Sequence, residues 1–316
     1  FHVLPPARRP RFPPSAPQRQ THIVVADRAA RSAGEQVGLE RLKRLIRDDG
    51  HWLPLLRSPA SLRALLDAPI GWGSYAMTPW PGRIDGGRFL WRGHLHEVPV
   101  NSGGHSLHGR GVYLPWTLEA RTATACRLSV EFDAGWPFAG RAVQEIAVFD
   151  DGVSQRIEVH AARGSRFPAG AGWHPWFRRD VRQGDDVRVL VDADRVYETA
   201  EMIPTGWLPP AKGELDLRGY PALGGRRLDV CYRHTRTALR VRWGDVELTM
   251  RSSPNVTHAV VYTPARAVCV EPQTCAPDAF NLAAQGVEGA GMAVVAPRRP
   301  LIASTTWRWT IGRLTR

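Results

Sequence analysis

Residues 239–250 read LRVRWGDVELTM, and this stretch decides the fold class. Apolar and polar side chains alternate on both sides of Gly244–Asp245, a dipeptide typical of a tight turn. Leu239–Trp243 and Val246–Met250 are therefore predicted to form a β-hairpin with one buried and one more exposed face.

The same period of two recurs along most of the chain. From about residue 70 onward, short apolar runs are separated by turn residues, and 30 Gly and 26 Pro punctuate them. Further strands are predicted at Arg88–Trp91, Leu95–Val100, Arg127–Phe132, Gln144–Phe149, Gln155–His160, Val187–Val191, Val256–Tyr262, Ala267–Val270 and Leu301–Ile311, with turns at Arg92–Gly93–His94 and Asp151–Gly152. No long helical pattern alternates with these strands. We therefore expect one large all-β domain, an antiparallel β-sandwich.

The N-terminal part of the chain departs from this pattern. The run Phe1–Gln20 holds six prolines among arginines, so residues 1–34 are expected to form an extended, poorly ordered leader before a folded domain at residues 35–316. Leucines then recur at helical spacing over residues 38–66. Taken locally, that spacing predicts two short helices.

The chain is strongly basic, with a formal net charge of +12. Such a charge can indicate a nucleic-acid partner, because clustered basic residues neutralise phosphates. Only two of the 42 basic residues are lysines, however, and the arginines are scattered. Abundant Arg together with Ala, Gly and Pro is what a GC-rich genome encodes, so we do not expect nucleic-acid binding.

The spacing of the cysteines and the length of the apolar runs indicate the cellular compartment of the protein. The four cysteines show no CxxC spacing, so reduced, mostly buried thiols are expected and a structural zinc site is not. No uninterrupted apolar run reaches about 18 residues, and no secretory h-region precedes the domain. We therefore expect a cytoplasmic protein without a membrane partner.

Polar residues in apolar surroundings are the candidates for chemistry, because no phosphate-binding loop, GxSxG or HExxH motif is present. Three of them are Arg83 at a turn, His108 just before a glycine, and Asp229 inside an apolar strand. Each of these positions is more often structural than functional when it occurs alone.

Two further candidates have more demanding surroundings. His174 lies among three aromatic residues in the segment Gly172–Phe177, which favours a buried imidazole with a tuned pKa. Glu271 follows the apolar run Val268–Val270, which should be buried on both faces. A carboxylate at such a place needs a partner or a function, since an unpaired buried charge is costly.

In their order along the chain, these residues resemble motifs of the aldose 1-epimerase (galactose mutarotase) family. The resemblance runs over roughly residues 38–312. The matching segments are Gly82–Arg83–Ile84, Asn101 with Leu107–His108–Gly109, His174–Pro175–Trp176–Phe177, Leu228–Asp229, Glu271–Pro272–Gln273–Thr274 and Ala279–Phe280–Asn281. The family fold is the galactose mutarotase-like supersandwich, an all-β architecture.

The resemblance also changes two local expectations. It implies β-structure in place of the first helix, over Leu39–Ile46, with Trp52–Leu56 as the next strand. Gly82 stands where the family usually has Asn, and this departure is expected to loosen the loop that holds Arg83. The leader has no counterpart in the family.

The activity implied by the resemblance is interconversion of the α and β anomers of a free aldohexose. Ring opening needs a proton on the ring oxygen while the anomeric hydroxyl loses one, so a base and an acid must flank the hemiacetal. No cofactor or metal is required. The implied base is Glu271 and the implied acid is His174. The implied sugar contacts are Arg83 and His108 at the ring oxygen and neighbouring hydroxyls, Asp229 at other hydroxyls, and Trp176 as a stacking face.

Two alternatives share the same fold. A hexose-6-phosphate 1-epimerase would use part of the arginine excess as a phosphate pocket. A non-catalytic sugar-binding protein would be expected to have lost Glu271 or His174, and both are present. The His-Pro-Trp-Phe segment and the ordinary placement of arginines near the motifs favour an unphosphorylated sugar. The preferred aldose and the oligomeric state stay open.

Overall fold

The structure is a computed structural model of the chain, and it describes residues 46–48, 51–61, 63–64, 68–182, 186–233 and 237–312. The predicted leader, residues 1–34, lies outside this part of the chain. Within it, short β-strands joined by tight turns make up most of the ordered elements.

Twenty-five strands and one short α-helix are described. In chain order they are β1 (Ile46–Asp48), β2 (His51–Leu53), β3 (Ser74–Met77), β4 (Arg83–Ile84), β5 (Arg88–Trp91), β6 (His94–Glu97), β7 (Ser106–Leu107), β8 (Thr117–Arg121), β9 (Ala125–Glu131), β10 (Gly140–Phe149), β11 (Gly152–Ala161), β12 (Phe167–Ala169), β13 (Gly172–Pro175), β14 (Phe177–Arg178), β15 (Arg188–Leu190), β16 (Arg195–Val196), β17 (Thr199–Ala200), β18 (Ile203–Pro204), β19 (Asp229–Arg233), β20 (Leu239–Trp243), β21 (Val246–Ser252), β22 (His258–Tyr262), β23 (Ala267–Gln273), α1 (Ala279–Ala284), β24 (Ala293–Val295) and β25 (Leu301–Ile311). Two 3-10 turns lie at Asp85–Gly87 and Gly213–Leu215.

Two large sheets organise these strands. An eight-stranded sheet has the order β15-β20-β21-β25-β11-β10-β9-β8, and a seven-stranded sheet has the order β16-β19-β22-β23-β13-β3 with β14 also on β23. Five two-stranded pairs complete the described part: β1-β2, β12-β24, β17-β18, β4-β7 and β5-β6. The sheets are antiparallel, which confirms the expected all-β sandwich.

The hairpin of residues 239–250 forms as its sequence predicts. Leu239 pairs with Met250, and Trp243 pairs with Val246 across the turn Gly244–Asp245. The apolar members of this alternating sequence are buried, and the polar members between them are partly exposed. The period-two pattern therefore predicts correctly which side chains lie on the buried face and which on the more exposed face of the eight-stranded sheet.

The main apolar core lies between the two large sheets. Val268 and Val270 of β23 share one buried cluster with Trp243 and Trp307 of the eight-stranded sheet. Full burial of each such side chain contributes roughly 1.5–3 kcal/mol. Because successive side chains of a strand point to opposite faces, Glu271 points away from this core. All residues of β23 are nevertheless buried, as expected for a strand covered on both faces.

Two predicted turns differ by one residue from the observed ones. The β10–β11 turn is Asp150–Asp151, because Phe149 and Gly152 form the last pair of the ladder. The β5–β6 turn is the two-residue segment Arg92–Gly93, and His94 already belongs to β6. Turn dipeptides locate a hairpin, but the cross-strand register decides where its ladder ends.

The first helix predicted over residues 38–66 is wrong where the structure describes it. Ile46 lies in a strand that pairs with β2, as the family resemblance implied, and residues 39–45 lie outside the described part. The expected strand Trp52–Leu56 is shorter, since β2 ends at Leu53 and Leu56 only bridges to Phe177. At Ile46, pairing with a neighbouring strand therefore outweighs the local helical spacing.

The second helical prediction is described only in part. Residues 63 and 64 are helical, and positions 62 and 65–67 lie outside the described residues. Three of the four cysteines are buried, as expected, and no disulfide joins any of them; that the thiols are reduced stays a prediction. Among the described residues, no helix is long and apolar enough to cross a membrane.

Candidate active site

Two strands of the seven-stranded sheet bring the two candidate catalytic residues into contact. β13 and β23 run antiparallel with Gly172 opposite Gln273, and this register places His174 opposite Glu271. The His174 Nε2 atom lies 3.1 Å from Glu271 Oε1. Both side chains are almost fully buried, with exposed fractions of 5% and 3%. The contact lies on the face turned away from the sandwich core.

The local sequence explains why these two strands approach so closely. A Cβ atom on Gly172 would lie only 2.6 Å from the Cβ of Gln273, so only glycine fits there. Next to it, the Thr274 N–H donates to the Ala171 carbonyl (2.8 Å), and the Ala171 N–H donates to Thr274 Oγ1 (2.9 Å). The last residue of the Glu-Pro-Gln-Thr motif thus fixes the register that aligns the acid–base pair.

Aromatic rings fix the plane of the His174 imidazole. Tyr75 of β3 stacks on one side at 5.0 Å and 27°, and Trp176 stacks at 5.2 Å and 12°. Trp176 also meets the edge of Tyr262 at 5.8 Å and 87°. The imidazole is therefore held in a stack and cannot rotate freely.

Arg57 extends this stack, and sequence reasoning missed it. Its guanidinium lies 5.1 Å from the Trp176 ring centroid and 4.7 Å from that of Trp72. Three backbone bonds join the same segments: Arg57 N to Trp176 O (2.8 Å), Gly73 N to Arg57 O (2.9 Å) and Trp176 N to Gly73 O (2.8 Å). Nothing in the sequence near Arg57 points to partners that lie so far along the chain.

Replacing Arg57 tests whether this stack contributes to stability. Two cation–π contacts are worth about 0.5–1 kcal/mol each when exposed and about 2 when desolvated. Arg57→Gln is therefore expected to lower the free energy of unfolding by about 1–2 kcal/mol in urea denaturation. Arg242→Gln, at a single looser contact 5.5 Å from the Tyr220 ring, serves as the control. Equal, negligible losses in both variants would contradict this.

His108 and Arg83 come from a small separate sheet above the pair. Arg83 of β4 pairs with Leu107 of β7, and the His108 N–H donates to the Gly82 carbonyl at 2.8 Å. The His108 ring packs edge-on against the His174 ring, with centroids 5.0 Å apart at 89°. His108 thus reaches the site from a segment beside β3, where Gly109 bridges to Thr78.

Gly82 does not leave this loop unsupported. Its φ is +66°, and a Cβ there would lie 2.7 Å from both Cβ and Cγ of Pro277. Glycine is therefore required by its backbone conformation and by the close approach of Pro277. The expectation that Gly82 loosens the Arg83 loop is wrong for this reason.

Asp229 lies at the exposed edge of the same face. It is the first residue of β19 and pairs with Tyr262, whose other neighbour on β23 is Cys269. Partial desolvation raises the pKa of the Asp229 carboxyl, and the nearby Arg83 charge opposes that rise. The six residues singled out from the sequence thus converge on one face of the sheet.

Burial acts in opposite directions on the pKa values of His174 and Glu271. It raises the pKa of the Glu271 carboxyl well above its usual value, with the Asp229 charge adding to the rise and Arg83 opposing it. Burial lowers the pKa of His174. Both effects favour a pair that holds one proton and carries no net charge.

His108 is held neutral by its surroundings. Burial lowers its pKa well below the usual range, and the neighbouring His174 and Arg83 lower it further. A neutral imidazole can both donate and accept a hydrogen bond. His108 can therefore bind hydroxyl or ring oxygens without competing for the proton of the pair.

The part of the chain that carries these site residues matches a known protein family. The family model of the aldose 1-epimerases matches residues 56–297, well over half of the chain. This chain belongs to the aldose 1-epimerase family. The matched range includes both strands of the acid–base pair and the segments that carry Arg83, His108 and Asp229.

Individual relatives and solved structures of this family are distant in sequence. The uncharacterized protein YihR of Escherichia coli is 24% identical over 234 residues, which is 68% of this chain and 74% of YihR. A galactose mutarotase-like protein from Clostridium acetobutylicum superposes with a TM-score of 0.72 at 17% identity, covering 81% of this chain and 86% of its own. The GalM/aldose epimerase homologue from C. elegans gives a TM-score of 0.70 at 17% identity, covering 82% and 88%. These structures establish the fold.

One set of metal-ligand residues falls within the site of this aldose 1-epimerase family member. Donor atoms of His174, Cys269 and Glu271 all lie within 4.8 Å of one another. Burial raises the pKa of the Cys269 thiol well above its usual value, and the Glu271 charge adds to this. A metal ion would have to displace the proton of this thiol before the three residues could hold it. That the reaction needs no metal or cofactor stays a prediction.

Proposed function

We propose that this protein is an aldose 1-epimerase that interconverts the α and β anomers of a free aldohexose. The observation that carries the proposal is the buried 3.1 Å contact between His174 and Glu271, with Arg83, His108 and Asp229 facing it. Hemiacetal opening requires an acid and a base that reach the two oxygens on C1, and this contact supplies one of each, shielded from water.

The proposed reaction moves two protons in opposite directions. Glu271, as carboxylate, takes the proton of the C1 hydroxyl, while His174, as imidazolium, gives a proton to the ring oxygen. The bond between C1 and the ring oxygen breaks, and the C1–O bond becomes the carbonyl of the open-chain aldehyde. Rotation about C1–C2 and the reverse proton transfers then close the other anomer.

The proton count of the pair does not change during ring opening. The pair begins as carboxylate and imidazolium and ends as carboxylic acid and neutral imidazole, with one proton in each state. Burial favours the second, uncharged state, as the pKa directions of Glu271 and His174 show. A dry site therefore assists the forward transfer, while hydrogen bonds from the sugar stabilise the initial ion pair.

The proposed sugar contacts follow from placement. Arg83 and His108 lie on the β4–β7 side and would bind the ring oxygen and adjacent hydroxyls, and Asp229 would accept bonds from hydroxyls at the open edge. Trp176 is proposed as a stacking face for the sugar. Its ring already contacts the His174 ring and the Arg57 guanidinium, which supports an additional role in holding the imidazole.

The direct test is the decay of optical rotation of freshly dissolved sugar. The protein is expected to accelerate this decay for α-glucose or α-galactose, after subtraction of the spontaneous rate. Glucose 6-phosphate is the comparison substrate, and faster catalysis on it would establish the sugar-phosphate alternative. No acceleration with any aldose of a small panel would reject the proposed activity. A cytoplasmic location stays a prediction from sequence.

The pH profile is expected to be broad because of the buried pair. The active form holds one proton, which is lost at alkaline pH or joined by a second at acid pH. An unperturbed imidazolium, with a pKa of about 6.5, would be only about 3% protonated at pH 8. Because burial raises the pKa of Glu271 and lowers that of His174, both limits move outward.

The measurement is kcat/KM between pH 5 and 9. The value at pH 8 is expected to stay within about twofold of the value at pH 6.5. A drop of about fifteenfold over that interval, from about half to about 3% protonated, would show an exposed, independently titrating imidazole instead.

A further inference from the structure

The Ala279–Phe280–Asn281 motif lies outside the acid–base pair and has no role in the reaction as described above. Yet α1, which carries it, touches the segment of Arg83: the Asp278 N–H donates to the Arg83 carbonyl at 2.6 Å. We propose that Asn281, together with Asp278, is a positioning residue that holds Arg83 in the sugar site. This inference rests on the proposed function, because it assigns Arg83 a sugar contact.

Asn281 ties α1 to the chain that follows Arg83. Its Nδ2 atom donates to the Arg88 carbonyl at 2.9 Å and to Asp278 Oδ1 at 2.8 Å. Its Oδ1 atom accepts the Leu90 N–H at 3.3 Å. One amide side chain therefore satisfies both a backbone donor and a backbone acceptor of β5, about 190 residues away along the chain.

Asp278 continues the same connection toward the site. Its Oδ1 atom accepts the Asp85 N–H at 3.1 Å as well as the Asn281 amide. Its own N–H is bonded to the Arg83 carbonyl, two residues before Asp85. Asp278 therefore bonds the backbone at the start of the segment from Arg83 to Leu90, and Asn281 bonds the backbone at its end.

The opposite edge of the Arg83 segment is held by β7. Arg83 pairs with Leu107, and the Asn101 side chain supports that partner: Leu107 N donates to Asn101 Oδ1 at 2.7 Å, and Asn101 Nδ2 donates to Leu107 O at 3.3 Å. Both asparagines of the family motifs therefore act on the backbone beside Arg83, and neither lies in the acid–base pair.

Pro277 completes the support from the α1 side. It packs against Gly82, where no other side chain would fit. Pro277 thus occupies the space that a side chain at position 82 would need. The residues that follow it in the chain, Asp278 and Asn281, make the hydrogen bonds described above. Arg83 is thus held by residues that lie outside the acid–base pair.

The test is a double-mutant cycle on sugar binding. Wild type, Asn281→Ala, Arg83→Ala and the double variant are compared by the Kd for galactose, from NMR titration, and by KM and kcat. Asn281→Ala is expected to raise Kd and KM about tenfold with kcat changed less than about threefold, since three hydrogen bonds are lost. In the Arg83→Ala background, the same change should alter Kd less than about twofold.

Matched variants separate positioning from general damage. Asn281→Asp keeps the shape and the acceptor for Leu90 but loses both donors, so it is expected to weaken binding like Asn281→Ala. Asn255→Ala removes a similar amide bond to the Ile302 carbonyl (2.8 Å) on the other sheet and should leave Kd unchanged. Circular dichroism verifies that each variant is folded.

The outcomes distinguish this inference from the proposed function. Equal losses from Asn281→Ala with and without Arg83, or no loss in either, would overturn the positioning role. A wild-type protein that binds galactose but never converts it would overturn the proposed activity while the Kd cycle still decides the positioning role. Failure to bind any aldose would overturn both.

Discussion

Glu271→Gln is expected to reduce kcat by about 10²- to 10⁴-fold, with a much smaller change in KM. The amide keeps the size of the carboxyl and can still hydrogen-bond to His174, but it cannot accept the proton of the C1 hydroxyl. Each tenfold loss corresponds to about 1.4 kcal/mol of transition-state stabilisation. The variant should fold well, because the amide has the size of the carboxyl and leaves the packing of β23 unchanged.

The fold supplies a matched control for this substitution. Glu158 of β11 contacts His160, with Oε2 and Nε2 2.8 Å apart, but on the eight-stranded sheet. Glu158→Gln is expected to leave mutarotation unchanged. Full activity in Glu271→Gln, measured by optical rotation, would remove Glu271 from the role of base.

His174→Asn is expected to produce the second large loss, again about 10²- to 10⁴-fold in kcat. Asparagine can keep one hydrogen bond to Glu271 but cannot carry a proton to the ring oxygen. The substitution also removes the ring that stacks with Tyr75 and with Trp176. A moderate loss of stability is therefore expected beside the catalytic loss.

Stability and catalysis can be separated in this variant. The control is His160→Asn, which removes the equivalent imidazole of the other pair and should leave the rate unchanged. The double variant of Glu271→Gln with His174→Asn should lose little more than either single variant, because the two groups act as one unit. Losses that multiply in the double variant would contradict a concerted pair.

The strands could be predicted from the sequence because the alternation of apolar and polar residues that marks them is local. Alternation in residues 239–250 and the apolar run before Glu271 each report burial directly. Turn positions were less accurate, as at Asp151, because the last pair of a ladder depends on the partner strand. The helical spacing was misleading for Ile46, the one residue of Leu39–Ile46 that the structure describes, for the same reason.

The site was accessible only through the family motifs. No period or spacing indicates that His174 and Glu271 meet, since their contact depends on the register of β13 and β23. Arg57 and the bonds of Asn281 were missed or left without a role, because each acts on residues remote in sequence. The effect of Gly82 was misjudged, since its compensation by Pro277 exists only in three dimensions.

Anomeric exchange at equilibrium tests the proposed function most directly. The H1 signal of the β anomer is saturated in a solution of glucose or galactose, and transfer to the α H1 signal is measured with and without protein. Wild-type protein is expected to produce saturation transfer that Glu271→Gln abolishes. Equal transfer with and without wild-type protein, for every aldose tested, would contradict the proposed ring-opening activity.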